Sequence, residues 1–155
     1  MTKKTFNKTL SANDVGKTGG HQAGILIPKS EAEVLAFLPP LDPAIKNPDA
    51  WIECMDDGGL MRQFRFIYYN NKLHDPTGTR NEYRITHMTG YFRDVAASEG
   101  DVFEISRHND NPYYNIRVTH LSERTLKQEK QITNRVTEEL PVYRIKIRSG
   151  WRRVH

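Results

Sequence analysis

The chain has 155 residues, 37% of them hydrophobic and 27% charged, which suits one domain with a real core and is too short for two ordinary ones. Its 2 Trp, 7 Tyr and 6 Phe supply area to bury and argue against disorder. A net charge of +4 and a pI of about 9.2 are mildly basic. No apolar run of about 18 residues occurs, so no membrane span is expected, and the N-terminus lacks the apolar segment of a signal peptide. The single cysteine, Cys54, excludes an internal disulfide framework and suits a reducing cytoplasm. It reads as a small buried hydrophobe on a strand.

In chain order, Thr5 to Leu10 alternates as a strand, and 11–20 then loses periodicity and fills with Ser, Asn, Asp and Gly, a loop composition. Ile25-Leu26-Ile27 is a short strand closed by Pro28. Ser30-Glu31-Ala32-Glu33 fits a capping box, with Ser30 as N-cap, opening a short helix that Pro39-Pro40 ends and that would plug a barrel mouth. Residues 51–55 and 64–69 flank Asp56-Asp57-Gly58-Gly59 as a hairpin. Residues 70–78 read as loop, and Tyr83 to Ile85 as strand. Residues 102–105 and 113–118 bracket Asn109-Asp110-Asn111-Pro112 as a second hairpin. Residues 122–136 fit a short helix or an irregular excursion equally well, and 142–147 is a closing strand followed by the basic tail Trp151-Arg152-Arg153, which looks like a domain end. The sum is mainly β: an all-β barrel or pseudobarrel of roughly seven strands with one or two short helices.

Charge is unevenly spread. Residues 1–30 carry five lysines against one aspartate, and 31–61 one lysine against seven acids. Residues 62–93 carry six basic residues against two acids. Two basic blocks around an acidic one suggest a molecule with a positive face, as a polyanion binder needs.

Signs of an active site are missing. The six histidines are scattered and one cysteine makes no zinc signature. Gly16-Lys17-Thr18-Gly19-Gly20 lacks the spacing of a phosphate loop, and no nucleophile elbow occurs. Pro48-Asp49 could begin a nuclease motif, but Glu53-Cys54-Met55 on the next strand is not an acid-x-Lys, and no His-x-Lys is present. No catalytic residue, metal ligand or cofactor is therefore expected.

The stretch from Leu10 to Pro28, LSANDVGKTGGHQAGILIP, resembles the opening motif of the N-terminal effector-binding domain of EcoRII-type restriction endonucleases. A second match follows in Tyr68-Tyr69-Asn70 and in 79–86, TRNEYRIT. Gly100-Asp101-Val102-Phe103 is similar to the glycine-aspartate strand start of the wider "B-three" DNA-binding superfamily. The resemblance implies a seven-stranded open pseudobarrel, two of whose arms, here 11–22 and 74–86, enter the major groove of double-stranded DNA and read a short, GC-flanked site. It also implies a longer parent restriction endonuclease, prokaryotic and cytoplasmic, with a fused or associated nuclease domain and Mg²⁺ needed only there. Gly78 and Tyr83 depart from it, standing where the family pattern has lysines, and Leu26 where it has an aromatic. The target site therefore cannot simply be copied from EcoRII.

The residue types in the arms suit that work. Arg80 and Arg84 can each pair bidentately with guanine, and Glu82 between them can accept from cytosine while tethering a neighbouring arginine. Asn13, Asp14 and Gln22 offer groups to adenine or cytosine edges. Gly19 and Gly20 allow close backbone approach to phosphate, and Lys17 is a phosphate contact. His21 matches a cleft residue of the family, and Thr18, Asn81 and Tyr83 complete the candidate DNA-binding set. The plainer readings are that Arg80, Glu82 and Arg84 form a solvated strand face, that Asn13-Asp14 makes an Asx turn, and that His21 is a satisfied core histidine. Two other functions stay open: a single-stranded DNA or RNA barrel stacking bases on Tyr68, Tyr69, Phe103, Tyr113 or Tyr114, and a small β-rich hydrolase or sugar-binding module using Trp51 or Trp151.

Overall fold

A computed structural model describes residues 2–17, 23–123 and 150–155. Within them lie β1 (Lys3–Thr9), β2 (Ile25–Ile27), α1 (Ala32–Phe37), β3 (Asp49–Asp56), β4 (Met61–Tyr69), α2 (Asn71–His74), β5 (Glu82–Thr86), α3 (Thr89–Asp94), β6 (Val102–His108), β7 (Tyr114–Thr119) and β8 (Trp151–Val154). The strands make a single sheet in the order β2-β5-β4-β3-β7-β6-β1-β8. Every described pairing is antiparallel except β3 with β7, which run parallel through Cys54–Asp56 and Tyr114–Ile116.

One face of this sheet is apolar, because alternate residues on each strand point the same way. Ile52 and Cys54 of β3, Phe64 and Phe66 of β4, Phe103 and Ile105 of β6 and Ile116 of β7 are all buried. Burial pushes the Cys54 thiol up to about 12, so it behaves as the inert hydrophobe its position suggests. A lone sheet can hide such a face only by curling onto it. The edges β2 and β8 accordingly come together, and the buried indole of Trp151 donates from Nε1 to the Leu26 carbonyl at 3.1 Å.

Two helices close the ends of the core. Phe37 of α1 lies 5.0 Å from the Phe6 ring and 5.1 Å from that of Tyr114, whose hydroxyl donates to the Phe37 carbonyl. This is the expected plug. Tyr91 and Phe92 of α3 pack on Phe64 and Phe103. The Gly100-Asp101 strand start is a buried polar knot: Asp101 accepts from the Ser98 and Leu121 N–H groups and meets the His120 ring at 2.9 Å. Burial alone would raise the Asp101 pKa, but those two N–H bonds and the histidine outweigh it and hold the carboxyl below its usual range.

Four expectations change. The capping box does not form: α1 has no side-chain cap, the Ala32 N–H bonds the Ser30 carbonyl, and Glu33 faces Arg153 at 3.5 Å. The 70–78 loop begins with the helical turn α2, whose first residue, Asn71, ties the returning chain. Helices number three among the described residues because of α3, whose Met88, Tyr91, Phe92 and Val95 share one helical face. The tail at Trp151 is a strand, making eight among the described residues, since its indole completes the core. The readings for 122–136, from 124 onward, and for 142–147 lie outside the described residues.

Trp151→Phe, which keeps an aromatic ring but strands the Leu26 carbonyl, should cost about 1 kcal/mol in urea unfolding. Trp151→Ala should cost about 3–5 kcal/mol. Equal midpoints for Trp151→Ala and the parent would show that β8 is not part of the barrel.

Candidate nucleic-acid interface

The described part of the first arm is a tight coil held from inside. Asp14 is 4% exposed; its carboxylate pairs with the buried Lys8 ammonium of β1 and accepts from the Ser11 N–H, while its own N–H bonds Ser11 Oγ. Buried charges persist only when paired in this way. Asp14 is thus corrected as a base-reading residue: it anchors the arm and has no free face. The same pair cancels two of the charges counted in the first basic block. Anchored so, the coil leaves Asn13 and Lys17 exposed. Thr18, Gly19, Gly20, His21 and Gln22 lie outside the described residues.

Gly24 leads from this arm into β2 and shows why glycine stands there. A Cβ on Gly24 would sit 2.5 Å from the Ile85 carbonyl oxygen of β5, closer than any side chain tolerates. The second arm repeats the device at Gly78, where a Cβ would meet the Asn71 carbonyl oxygen at 2.1 Å. The family's lysine could not stand there without moving the arm. Asn71 Oδ1 accepts from the Arg80 N–H at 2.7 Å, and the Lys72 N–H bonds the Arg80 carbonyl at 3.0 Å, closing the loop on α2. Buried Asn70 staples the base, its amide donating to the Pro43 and Ile45 carbonyls and accepting from the Asn47 N–H.

Alternation on β5 then sorts the candidate residues. Glu82, Arg84 and Thr86 face one way, and Tyr83 and Ile85 the other. Tyr83 stacks on Tyr68 at 4.1 Å, and the Tyr68 hydroxyl donates to Asn81 Oδ1. Asn81 and Tyr83 therefore brace the arm from its inner side. Outside, the Arg80 guanidinium lies 3.6 Å from the centroid of the Tyr69 ring, and its Nε and Nη2 both donate to Glu82 Oε1, at 3.0 and 2.6 Å. An arginine stacked and hydrogen-bonded at once has surrendered most of its rotamer freedom before any ligand arrives. The other N–H groups of its fork are not used by Glu82. Arg84 Nε lies 3.4 Å from the same Glu82 oxygen, buried but without a hydrogen bond.

These groups meet in a polar cleft of about 400 Å³ on the outer face of β4 and β5. Asn13 and Gly24 line it from the first arm, Arg80 and Arg84 from the second, with Arg65, Tyr69, Thr86 and His87 as floor and rim. Three guanidinium groups facing one cleft suit an anionic ligand carrying hydrogen-bond acceptors. A second cavity of about 280 Å³ is lined by Asp56, Asp57 and Glu104 against Lys3 and Arg117, the wrong balance for a polyanion.

Arg65 and His87 escaped the sequence reading, while Tyr69, Asn70 and Thr86 lay in the matched motifs but outside the candidate DNA-binding set. Alternation along β4 placed Arg65 and Tyr69 on one face, but nothing in the sequence showed that this face adjoins the arms. Four stacking platforms of the single-strand reading are withdrawn, since Phe103, Tyr68 and Tyr114 are buried and Tyr69 carries Arg80; half-buried Tyr113 alone is left. Trp151 is likewise buried and offers no sugar platform. Among the described residues, no three His, Cys, Asp or Glu side chains gather as a metal site would require.

A chain of the Arabidopsis FUS3–DNA complex has a similar fold, with a TM-score of 0.55 over 74% of this chain and 94% of that one; at 22% identity the likeness is one of fold alone. Within that fold the chain belongs to the family described as "Restriction endonuclease EcoRII, N-terminal", which matches residues 2–102 and so spans both arms. The type II restriction enzyme EcoRII of Escherichia coli is 39% identical over 89 residues, 52% of this chain and 20% of that enzyme. The chain thus matches about a fifth of that relative's length.

Two predictions follow from the arms' construction. Asp14→Ala should destabilise by about 3–5 kcal/mol by leaving Lys8 buried and unpaired, while a Lys8→Met/Asp14→Leu double variant should recover much of the loss in chemical denaturation. Glu82 should titrate below the ordinary 4.5: burial raises its pKa, but the Arg80 hydrogen bonds and the charges of Arg84 and Arg80 outweigh that. Its folded value being depressed, its contribution to stability is full above 4.5 and lost as pH falls through the lower folded value. A carboxyl-carbon NMR titration with a midpoint at or above 4.5 would contradict the brace.

Proposed function

We propose that this chain is a sequence-reading domain for double-stranded DNA, one part of a type II restriction endonuclease, working in a prokaryotic cytoplasm. The observation that carries the proposal is the cleft, where Arg80 and Arg84, steadied by Glu82 and Tyr69, face Asn13 of the opposite arm. Fixed guanidinium forks are the side chains that read guanine O6 and N7 in the major groove. Exposed Lys17 adds a phosphate contact. Family membership supports the reading, as do the likeness of fold to the FUS3–DNA complex and the resemblance to the type II restriction enzyme of E. coli. The domain needs no cofactor to bind and performs no cleavage; Mg²⁺ belongs to a nuclease domain elsewhere in the parent protein. A short GC-flanked site fits two arginines best.

Selection from a random duplex library should yield such a site, bound equally well in EDTA. Affinity should fall steeply with salt, with a log–log slope of several units, which Lys17→Ala lowers by about one. Arg80→Ala and Arg84→Ala should each cost about 1–3 kcal/mol on the selected site and far less on scrambled duplex. Tyr69→Leu should erode the same discrimination more gently. Equal losses on both duplexes would reduce the arginines to phosphate contacts, and a slope near zero would end the DNA reading.

A further inference from the structure

The cleft does not stop at the arms. Trp51 of β3 pairs across the sheet with Arg65 of β4, which pairs with Thr86 of β5, so the three stand in a row on the outer face. Arg65 and Thr86 are cleft residues, and Trp51 continues their row by one strand. Its indole is 55% exposed, an unusual position for the largest apolar side chain. It is also held. The next cleft residue, His87, sets its ring 4.9 Å from the indole, edge to face, and meets Thr86 Oγ1 through Nδ1 at 3.0 Å. His87 adopts φ 65, a left-handed conformation uncommon for a non-glycine residue.

The backbone around that residue is tied to the first arm. The Met88 N–H bonds the Ala23 carbonyl at 3.2 Å, and the Ala23 N–H bonds Thr89 Oγ1 at 2.9 Å. The ledge that Trp51 and His87 form and the first arm are therefore positioned together. Arg65 neutralises Asp49 on the near side through a 2.6 Å ion pair. Exposed Glu53, next outward from Trp51 on the same face of β3, opposes any phosphate beyond it. Charge and shape together mark Trp51 as the margin of the interface.

We propose that Trp51, braced by His87, is a second contact zone for the duplex, taking the sugar–phosphate backbone of base pairs that flank the recognised site. An indole suits this: its face packs on deoxyribose, and its Nε1–H can donate to a phosphate oxygen. The contact reads no base. It lengthens the footprint on the β3 side, and it rests on the DNA-reading function proposed above.

The test uses two duplexes, one carrying the selected site with long flanks and one trimmed at the flanks, titrated against wild type, Trp51→Phe and Trp51→Ala. Wild type should bind the long duplex about tenfold more tightly than Trp51→Ala does, as loss of a buried aromatic anchor predicts. Trimming should close that gap, and Trp51→Phe should fall between. The other tryptophan, Trp151, is buried, so DNA should quench emission in wild type and far less in Trp51→Phe. Glu53→Gln should tighten the long duplex only. Equal affinities of wild type and Trp51→Ala for the long duplex, or emission indifferent to DNA, would overturn the ledge while leaving the cleft reading intact. Failure of wild type to bind either duplex would overturn the cleft reading itself.

Discussion

A single sheet with one apolar face has nothing to pack against but itself, and the rest of this structure depends on how that constraint is met. The inner face carries Phe64, Phe66, Phe103 and Ile105, and burying each such side chain is worth about 1.5–3 kcal/mol. Curling the sheet captures that energy without a second layer. The curl brings the edge strands β2 and β8 within reach, and the Trp151 indole bridges them to the Leu26 carbonyl. Helices α1 and α3 fill what the strands leave open.

Curling has a consequence for the outer face. On β4 and β5 the outward residues Arg65, Tyr69, Glu82, Arg84 and Thr86 need not serve the core, so they are free to build a surface. The arms flank it because their roots are locked at close range: Gly24 against Ile85, Gly78 against Asn71, and Asp14 pinned by Lys8. Together they set the first arm opposite Arg80, which is what a two-sided cleft requires.

Glu82 governs the charge of that surface. Without it, Arg80 and Arg84 would repel each other and sample many rotamers; with it, both guanidinium groups converge on one carboxylate oxygen. The carboxylate offsets some attraction for a polyanion and supplies order in exchange, lowering the entropy lost on binding. Tyr69 does the same by stacking, at no cost in charge. Such a site favours discrimination over raw affinity, as sequence reading demands.

Period-two alternation at 51–55, 64–69, 102–105 and 113–118 was enough to place four strands and two hairpins, because strand pleating is a local property. The arms were also legible, since their loop composition and family-like motifs lie in continuous stretches of chain. The helical face of Met88, Tyr91, Phe92 and Val95 was equally present, though split by Gly90 and too short to stand out. Other features depended on distance in sequence. That Tyr69 carries Arg80 is decided by the return of the 75–79 loop, and even Asp14, close to Lys8 in sequence, turns inward only because β1 holds that lysine in the buried interior. That Trp151 is core and Trp51 surface follows from where the curled sheet closes. Local pattern determined which residues form strands and arms; only tertiary closure decided which of their polar side chains are spent inside and which remain to meet a ligand, because that depends on partners many residues away.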